Sequence, residues 1–320
     1  MARARLTKWQ RVAVALGEHI GIDRLDGEVL ELATASGKQR WILAVSGGAD
    51  SVAMLLLIWA HWPERREKMV VAHFDHNLRK VASRADCVFC ARVARSLGVI
   101  FETETWEEPP GSPSEAQARG VRQAFLERLR RRYRARLIWT GHQLNDVAET
   151  MMMRLARGSG SAGLAAPRPI QTRSGSQITR VRPLLGLPRD ELASALLAAG
   201  GSWREDGTNR TDNYFRNRVR RDVIPGWEKA ACRDAVSGAG LSRRLLDEDN
   251  TALETWLAEI DFIDVHERLV LKSLSGRPTA LWRRALRCWI QRRSDTGDLF
   301  RTGFEDLLKN AIEVESDAAE

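Results

Sequence analysis

The six residues Ser46-Gly47-Gly48-Ala49-Asp50-Ser51 directly follow the apolar run 41–45 and precede a helix-like stretch, Val52 to Trp59. A strand that ends in two glycines and two hydroxyls and then opens a helix is built to cradle phosphate. The glycines let the backbone turn and approach a ligand closely, and the amides and macrodipole of the following helix favour an anion. A carboxylate in such a loop repels phosphate, so Asp50 makes sense as the anchor of a divalent cation that bridges to the phosphates. The loop lacks the Gly-Lys-Ser/Thr ending of the Walker type, which argues against kinase-like and GTPase-like chemistry. The alternative is an ordinary Gly-rich strand-to-helix turn.

Further polar residues recur at helical spacing. Glu115, Arg119 and Arg122 lie four and three apart and share one face of a helix. They could pair with one another structurally, or the arginines could project at phosphates and the acid at an ammonium; two guanidiniums against one carboxylate leave positive charge uncompensated, which favours the second. His142 and Asp146 flank a helix start, where a metal ion or charged substrate is the natural partner and capping by Asn145 or Asp146 is the alternative. Arg216, Arg218, Arg220 and Arg221 supply more charge than a helix cap needs and suit the phosphates of a nucleotide, of RNA, or of both. The helical stretch 282–287 also offers a basic face for RNA, or simply a solvated one. Two patterns are set aside. Gly158, Gly160 and Gly163 fit a dinucleotide fingerprint but follow a helical pattern instead of a strand. His73, His76, Cys87 and Cys90 have metal-ligand spacing, yet both cysteines fall inside a helix among packing residues and read as buried thiols.

The elements that must carry these residues alternate. Strands are expected at 41–45, 69–74, 99–105 and 136–140, and helices at 51–61, 83–97, 114–133 and 144–157. This predicts an α/β fold with a doubly wound parallel sheet and ligands at the carboxyl ends of its strands. Residues 158–183 read as a long loop with one strand near Ile178 to Val181, and a helix resumes at 187–197 with Pro188 in its first turn. Pro225-Gly226 is expected to break the chain, dividing it into a catalytic domain, 1–225, and a wholly helical domain, 226–320. The acidic tail after Glu313 reads as a frayed end.

The 320-residue chain is 43% hydrophobic, enough for a large core and a smaller domain, and its net charge of +8 favours a polyanionic partner. No apolar run approaches the roughly 20 residues of a membrane span, so no membrane partner is expected. Four unevenly spaced cysteines suit a reducing compartment, and a cytoplasmic location is expected.

Taken in order, these segments resemble one family. Ser46 to Ser51 resembles the pyrophosphate loop of the N-type ATP pyrophosphatases, the PP-loop superfamily, which cleave ATP between the α- and β-phosphates. Residues 73–79, 114–122 and 140–150 are similar to one branch of it, the tRNA(Ile)-lysidine synthetases. So are Arg157 to Gly160, Gly163-Leu164, Arg182 to Leu185, Glu205 to Asn209 and Arg216 to Arg221, and the ordered resemblance spans roughly 40–225. One position departs: where the family usually has two successive acids, this chain has Asn145 before Asp146.

The resemblance implies an adenine nucleotide alpha-hydrolase-like fold followed by a small all-helical domain that contacts tRNA. It implies ATP and Mg²⁺ as cofactors and ligation of L-lysine to C2 of the wobble cytidine of a CAU-anticodon tRNA(Ile), through an adenylated tRNA. Ser46, Gly47, Gly48, Ala49, Asp50 and Ser51, with His73 and His142, are expected at the nucleotide, and Asp50 and Asp146 at the metal. Glu115, Asn145 and Asp146 are expected to bind substrate. The catalytic set is Asp50, Arg119, Arg122, Asp146, Arg218 and Arg221. Two other readings stand beside it: a tRNA cytidine C2 thiolase of the same superfamily, and a nucleotide- or RNA-binding protein without catalysis. A second copy of the chain is a further candidate partner.

Overall fold

Apolar runs dense in Val, Ile, Leu and Trp build the centre of a sheet, β1 (Trp41–Ala44), β2 (Met69–Asp75) and β4 (Leu137–Thr140), and the more polar β3 (Ile100–Thr105) forms one edge. In this computed structural model, which describes residues 5–78, 81–111, 113–172, 179–205, 215–293 and 301–319, two short strands extend the edge, β5 (Ile170–Thr172) and β6 (Thr179–Val181). The order is β3-β2-β1-β4-β6-β5, parallel throughout except for the β5–β6 pair. From β1 the chain winds to β2 and β3 on one side, then crosses to β4 on the other. That reversal between β1 and β4 is a topological switch point, and the crevice outside the strand ends there is where such sheets bind ligands. The register sets Ala44 beside Ala72 on one side and Thr140 on the other, so the loops after β1 and β4 leave the sheet side by side.

Helices cover both faces, which is why β1 and β2 are apolar at nearly every position instead of alternating. On one face lie α1 (Lys8–His19), α2 (Gly27–Ala35), α3 (Ala49–His61) and α4 (Val81–Leu97). α3 is the central one: all nine residues from Ser51 to Trp59 are buried, and each large apolar side chain among them contributes about 1.5–3 kcal/mol by leaving water. The opposite face packs Ile42, Val70 and Ile138 against Phe125, Leu126 and Leu129 of α5 (Glu115–Tyr133). Trp41, Trp62 and Trp139 form a tilted and edge-on aromatic cluster in the first core. α6 (Leu144–Leu155) follows β4, and α7 (Ser161–Leu164) and α8 (Arg189–Ala198) flank the edge strands in sequence. α9 (Phe215–Arg218) then runs through a π-helical turn, Val219–Val223, into α10 (Ile224–Ala231).

The remaining helices are α11 (Ala235–Ala258), α12 (Thr279–Arg293) and α13 (Arg301–Ala319). Two compact units result: 1–159 with 166–243, and 160–165 with 244–320. The second has its own core, including Leu257, Leu274, Trp282, Leu286, Phe304 and Leu308.

The four expected strands and the helices between them are present within one or two residues. Several expectations need correction. Pro225-Gly226 does not break the chain: a proline in the first turn of a helix lacks only an N–H that has no helical acceptor anyway, so α10 contains both residues. The first compact unit runs on to Arg243, inside α11. Pro188 is the N-cap of α8 and not part of its first turn, the segment after Glu313 is helical through Ala319, and residues 158–183 hold α7 and β5 besides β6. Arg79, Ile178 and Asp206 to Asn209 lie outside the described residues. No helix among the described residues is long and apolar enough to cross a membrane.

Candidate active site

The chain leaves β1 through Val45, whose N–H donates to Ala72 O and whose carbonyl accepts from His73 Nδ1, both at 2.9 Å. A carbonyl can only accept, so the His73 proton sits on Nδ1. Burial pushes the His73 pKa down and keeps the ring neutral. At 3% exposure this side chain braces the strand exit behind the loop. Gly47 then adopts φ 97°, and a Cβ there would stand 3.3 Å from Cys90 Sγ. Arg204 straps the loop down, donating from its backbone to Gly47 O at 2.9 Å and from Nε to Asp86 Oδ1 of α4 at 2.8 Å. Ser51, buried, donates to Gly48 O at 2.9 Å and accepts from Ser46 N, so its hydroxyl holds the turn together.

Asp50 is the second residue of α3, at its positive end. Its Oδ2 lies 3.8 Å from Arg189 Nε, while Oδ1 is buried with no hydrogen-bond partner. Burial pushes its pKa up to about 6, helped by the nearby Asp146 and opposed by Arg189, Gln143 and Arg220. An orphaned carboxylate oxygen beside a phosphate cradle fits a hard divalent cation, which takes oxygen ligands.

The β4–α6 turn reaches this point because residue 141 is glycine. A Cβ on Gly141 would sit 2.8 Å from the Asp50 carbonyl oxygen and 2.9 Å from Ser51 Cα, both backbone atoms. Gln143, fully buried, caps α6: its Oε1 accepts from Asn145 N, and Asp146 Oδ2 accepts from Gln143 N at 3.0 Å. Asn145 is turned to a different task. Its Oδ1 accepts the backbone N–H of Arg189 at 3.0 Å, capping α8, so the residue that departs from the family pattern ties one helix start to another.

One turn further along α6, Glu149 is 1% exposed and meets three arginines. Arg216 Nε and Arg220 Nε donate to it at 2.7 and 2.6 Å, and Arg189 Nη2 stands 3.5 Å away. Arg216 Nη2 also donates to Asp146 Oδ1 at 2.6 Å. Burial opposes charge on Asp146, but Arg216, the Gln143 N–H and Arg189 outweigh it and hold its carboxyl below the usual range. Both oxygens of Asp146 therefore have protein donors, unlike Asp50 Oδ1. His142 Nδ1 lies 3.0 Å from Thr140 Oγ1, and burial, with Arg182, Arg216 and Arg122 nearby, holds the ring neutral.

Arg119 and Arg122 of α5 lie near this region. Arg122 is exposed, yet the surrounding protein partly desolvates it, and with the positive charges of Arg119, Arg180 and Arg216 this lowers its pKa, with Glu115 opposing. Arg182, 4% exposed, donates from Nη1 to Arg168 O at 2.6 Å and from Nη2 to Gln171 at 2.9 Å. Its Nε has no partner, and burial pushes its pKa down to about 10.

A family model described as a PP-loop domain matches residues 23–227 of this chain. A tRNA(Ile)-lysidine synthase of Gloeobacter violaceus is 35% identical over 253 residues, covering 78% of this chain and 76% of that protein. The chain belongs to the tRNA(Ile)-lysidine synthase family. The family member from Symbiobacterium thermophilum is 36% identical over 236 residues, and that from Thermus thermophilus is 42% identical over 193. These alignments cover 72% and 59% of this chain but 48% and 36% of the relatives, so the chain spans about half the length of these two relatives, or less. Among solved structures, the U34-tRNA thiolase NcsA of Methanococcus maripaludis with its [4Fe-4S] cluster shares the fold, with TM-score 0.51, 17% identity and 74% and 78% of the two chains covered.

Within this family member the sequence-derived site is partly redistributed. The loop 46–51, Glu115, Arg119, Arg122, His142, Asn145 and Asp146 gather around the strand ends. Arg218 and Arg221 do not: both are exposed, and Arg221 pairs with its neighbour Asp222 at 2.7 Å. Residues 216 and 220, four apart, share the inward helical face instead. On α12 the expected basic face is neutralised, since Arg283 pairs with Glu305 and Arg284 with Glu254, Asn250 and Ser161. Glu149 and Arg189 are additions. Glu149 carried a usable signal, three residues after Asp146 on the same helix face, whereas nothing local marks Arg189.

Proposed function

We propose that this protein adenylates C2 of the wobble cytidine of a CAU-anticodon tRNA(Ile) with ATP and then joins L-lysine to that carbon. The observation that carries the reading is the meeting, at one switch point, of a phosphate loop with an unpartnered carboxylate oxygen on Asp50 and the buried acids Asp146 and Glu149. In the first step the C2 oxygen attacks the α-phosphorus and the bond to pyrophosphate breaks. In the second the lysine amine forms the C2–N bond and loses a proton, and the C–O bond breaks to release AMP.

The loop amides and the N-terminus of α3 bind the departing pyrophosphate. Asp50 would hold Mg²⁺, which supplies charge neutralisation on the phosphates. Arg119 and Arg122 offset the negative charge that develops in the first step. Asp146 and Glu149, with the Glu115 carboxylate facing Arg122, form the acidic side that receives the amine, and neutral His142 orders the turn beside it. Arg218 and Arg221, exposed on the outer face, suit RNA phosphates better than ATP.

The thiolase alternative needs reactive thiols at strand ends. Cys90 is buried, with burial pushing its pKa up to about 12, and no group of three or more His, Cys, Asp or Glu among the described residues converges to hold a metal. The test is incubation with ATP, Mg²⁺, labelled lysine and either CAU-anticodon tRNA(Ile) or CAU-anticodon tRNA(Met). Lysine incorporation confined to the isoleucine tRNA, one AMP and one pyrophosphate per lysine, is expected. Pyrophosphate release without incorporated lysine would sink the ligase reading, and no release with either RNA would favour a binding protein.

A further inference from the structure

Among the described residues, Arg189 is the cation placed between the acid of the phosphate loop and the acid of α6. Its Nε stands 3.8 Å from Asp50 Oδ2 and its Nη2 3.5 Å from Glu149 Oε1. It is 27% exposed, between a half-buried Asp50 and an inaccessible Glu149, so its guanidinium lies at the rim of the site and not deep in the core. The backbone is fixed as well: Arg189 is the first residue of α8, and its N–H is held by Asn145 Oδ1 at 3.0 Å. Leu144 N donates to Leu187 O at 3.0 Å just before it, so the starts of α6 and α8 are joined by two hydrogen bonds. A planar guanidinium presents several donors in a rigid fork and can serve two carboxylates at once, which a lysine ammonium on a flexible stem does less well.

We infer that Arg189 is a positioning residue that straddles Asp50 and Glu149 and sets the spacing between the nucleotide side and the amine side of the site. Asn145 holds it in place. This rests on the ligase reading above and deepens it. Arg189 touches neither reacting centre; it fixes the two acids relative to one another, so its loss is felt by both substrates. At position 145 the requirement is a side-chain oxygen that accepts from Arg189 N–H, and an amide meets it without adding charge between two carboxylates.

The test compares wild type, Arg189→Met and Arg189→Lys. ATP·Mg²⁺ affinity is measured by calorimetry without RNA, KM for lysine is measured in the complete reaction, and thermal melting monitors the fold. For Arg189→Met the ATP dissociation constant and the lysine KM should each rise about tenfold while melting shifts little. Arg189→Lys should restore one of the two constants but not both. Unchanged constants in a folded Arg189→Met protein would overturn the inference, as would full restoration of both by lysine. If the methionine variant does not fold, Arg189→Lys decides alone: one constant weakened supports straddling, and two wild-type constants refute it. Wild-type protein that incorporates no lysine would instead remove the ligase reading, so the two failures are distinguishable.

Discussion

Asp50 and the Asp146–Glu149 pair are carboxylates of the same crevice, yet their charges are met in opposite ways. Asp50 keeps one oxygen without a hydrogen bond, the Arg189 guanidinium stands 3.8 Å from the other, and its pKa is raised to about 6. Asp146 and Glu149 accept short hydrogen bonds from Arg216 and Arg220. The first has room for a further cation; the second is already paired. On the proposed function a phosphate-bound metal would add to the first side, whereas an amine arriving at the other would have to share or exchange with a guanidinium. Exchange of one cation for another keeps the buried acids compensated at every stage, which avoids the cost of an unpaired buried charge.

The contrast breaks most visibly at Asp50. Asp50→Ala should lower ATP-dependent pyrophosphate release by about 10²–10³-fold without lowering the melting temperature at neutral pH, because an electrostatic anchor is lost and a destabilising buried charge goes with it. Turnover within a few-fold of wild type would remove Asp50 from the chemistry. Next is Glu149→Ala, which leaves buried guanidiniums without their acid and should cost about 3–5 kcal/mol in denaturant unfolding. A loss of activity with unchanged stability would mean the ion pairs are not structural.

The two sides also separate by pH. Asp50's folded pKa of about 6 lies above the ordinary 3.8, so the fold binds the proton more tightly than the unfolded chain and ionisation of Asp50 destabilises it. The ligand-free protein should lose up to about 2–3 kcal/mol from this group as pH rises from about 4 to about 6. Asp50→Asn should be the more stable protein above about pH 6 and equal to wild type below about pH 4. A stability difference that does not change over that window would contradict the assignment. The smallest effect is expected for Asn145→Asp, which keeps an acceptor for Arg189 N–H: a stability change of under about 1 kcal/mol with activity retained. Asp146→Asn, which weakens the pairing to Arg216, should be clearly worse.

Much of this was legible in the sequence. The strands around the switch point are continuous apolar runs, and the loop 46–51 is a local motif whose chemistry follows from its residue types. α1 went unread although Trp9, Val12, Ala13 and Leu16 have helical spacing, because polar neighbours separate them. The arginines of 216–221 were placed in the right segment but sorted wrongly, because without the helix phase 216 and 218 look equivalent. Arg189 was out of reach: it gains meaning only when α8 is folded against α6. Asn145 misled for a related reason, as its type announces a missing charge and its contact is a hydrogen bond to a distant backbone N–H.

The π-helical turn at Val219–Val223 has an evolutionary consequence. An α-helix rotates about 100° per residue, so gaining or losing one residue swings everything beyond it by that angle. Arg216 before this turn and Arg220 within it must face the acids, and Ile224 just after it must stay buried. The stretch is thus a spacer of fixed count. It can accept many changes of letter while tolerating no change of length, so descendants of this chain are expected to vary here by substitution and to place their insertions elsewhere.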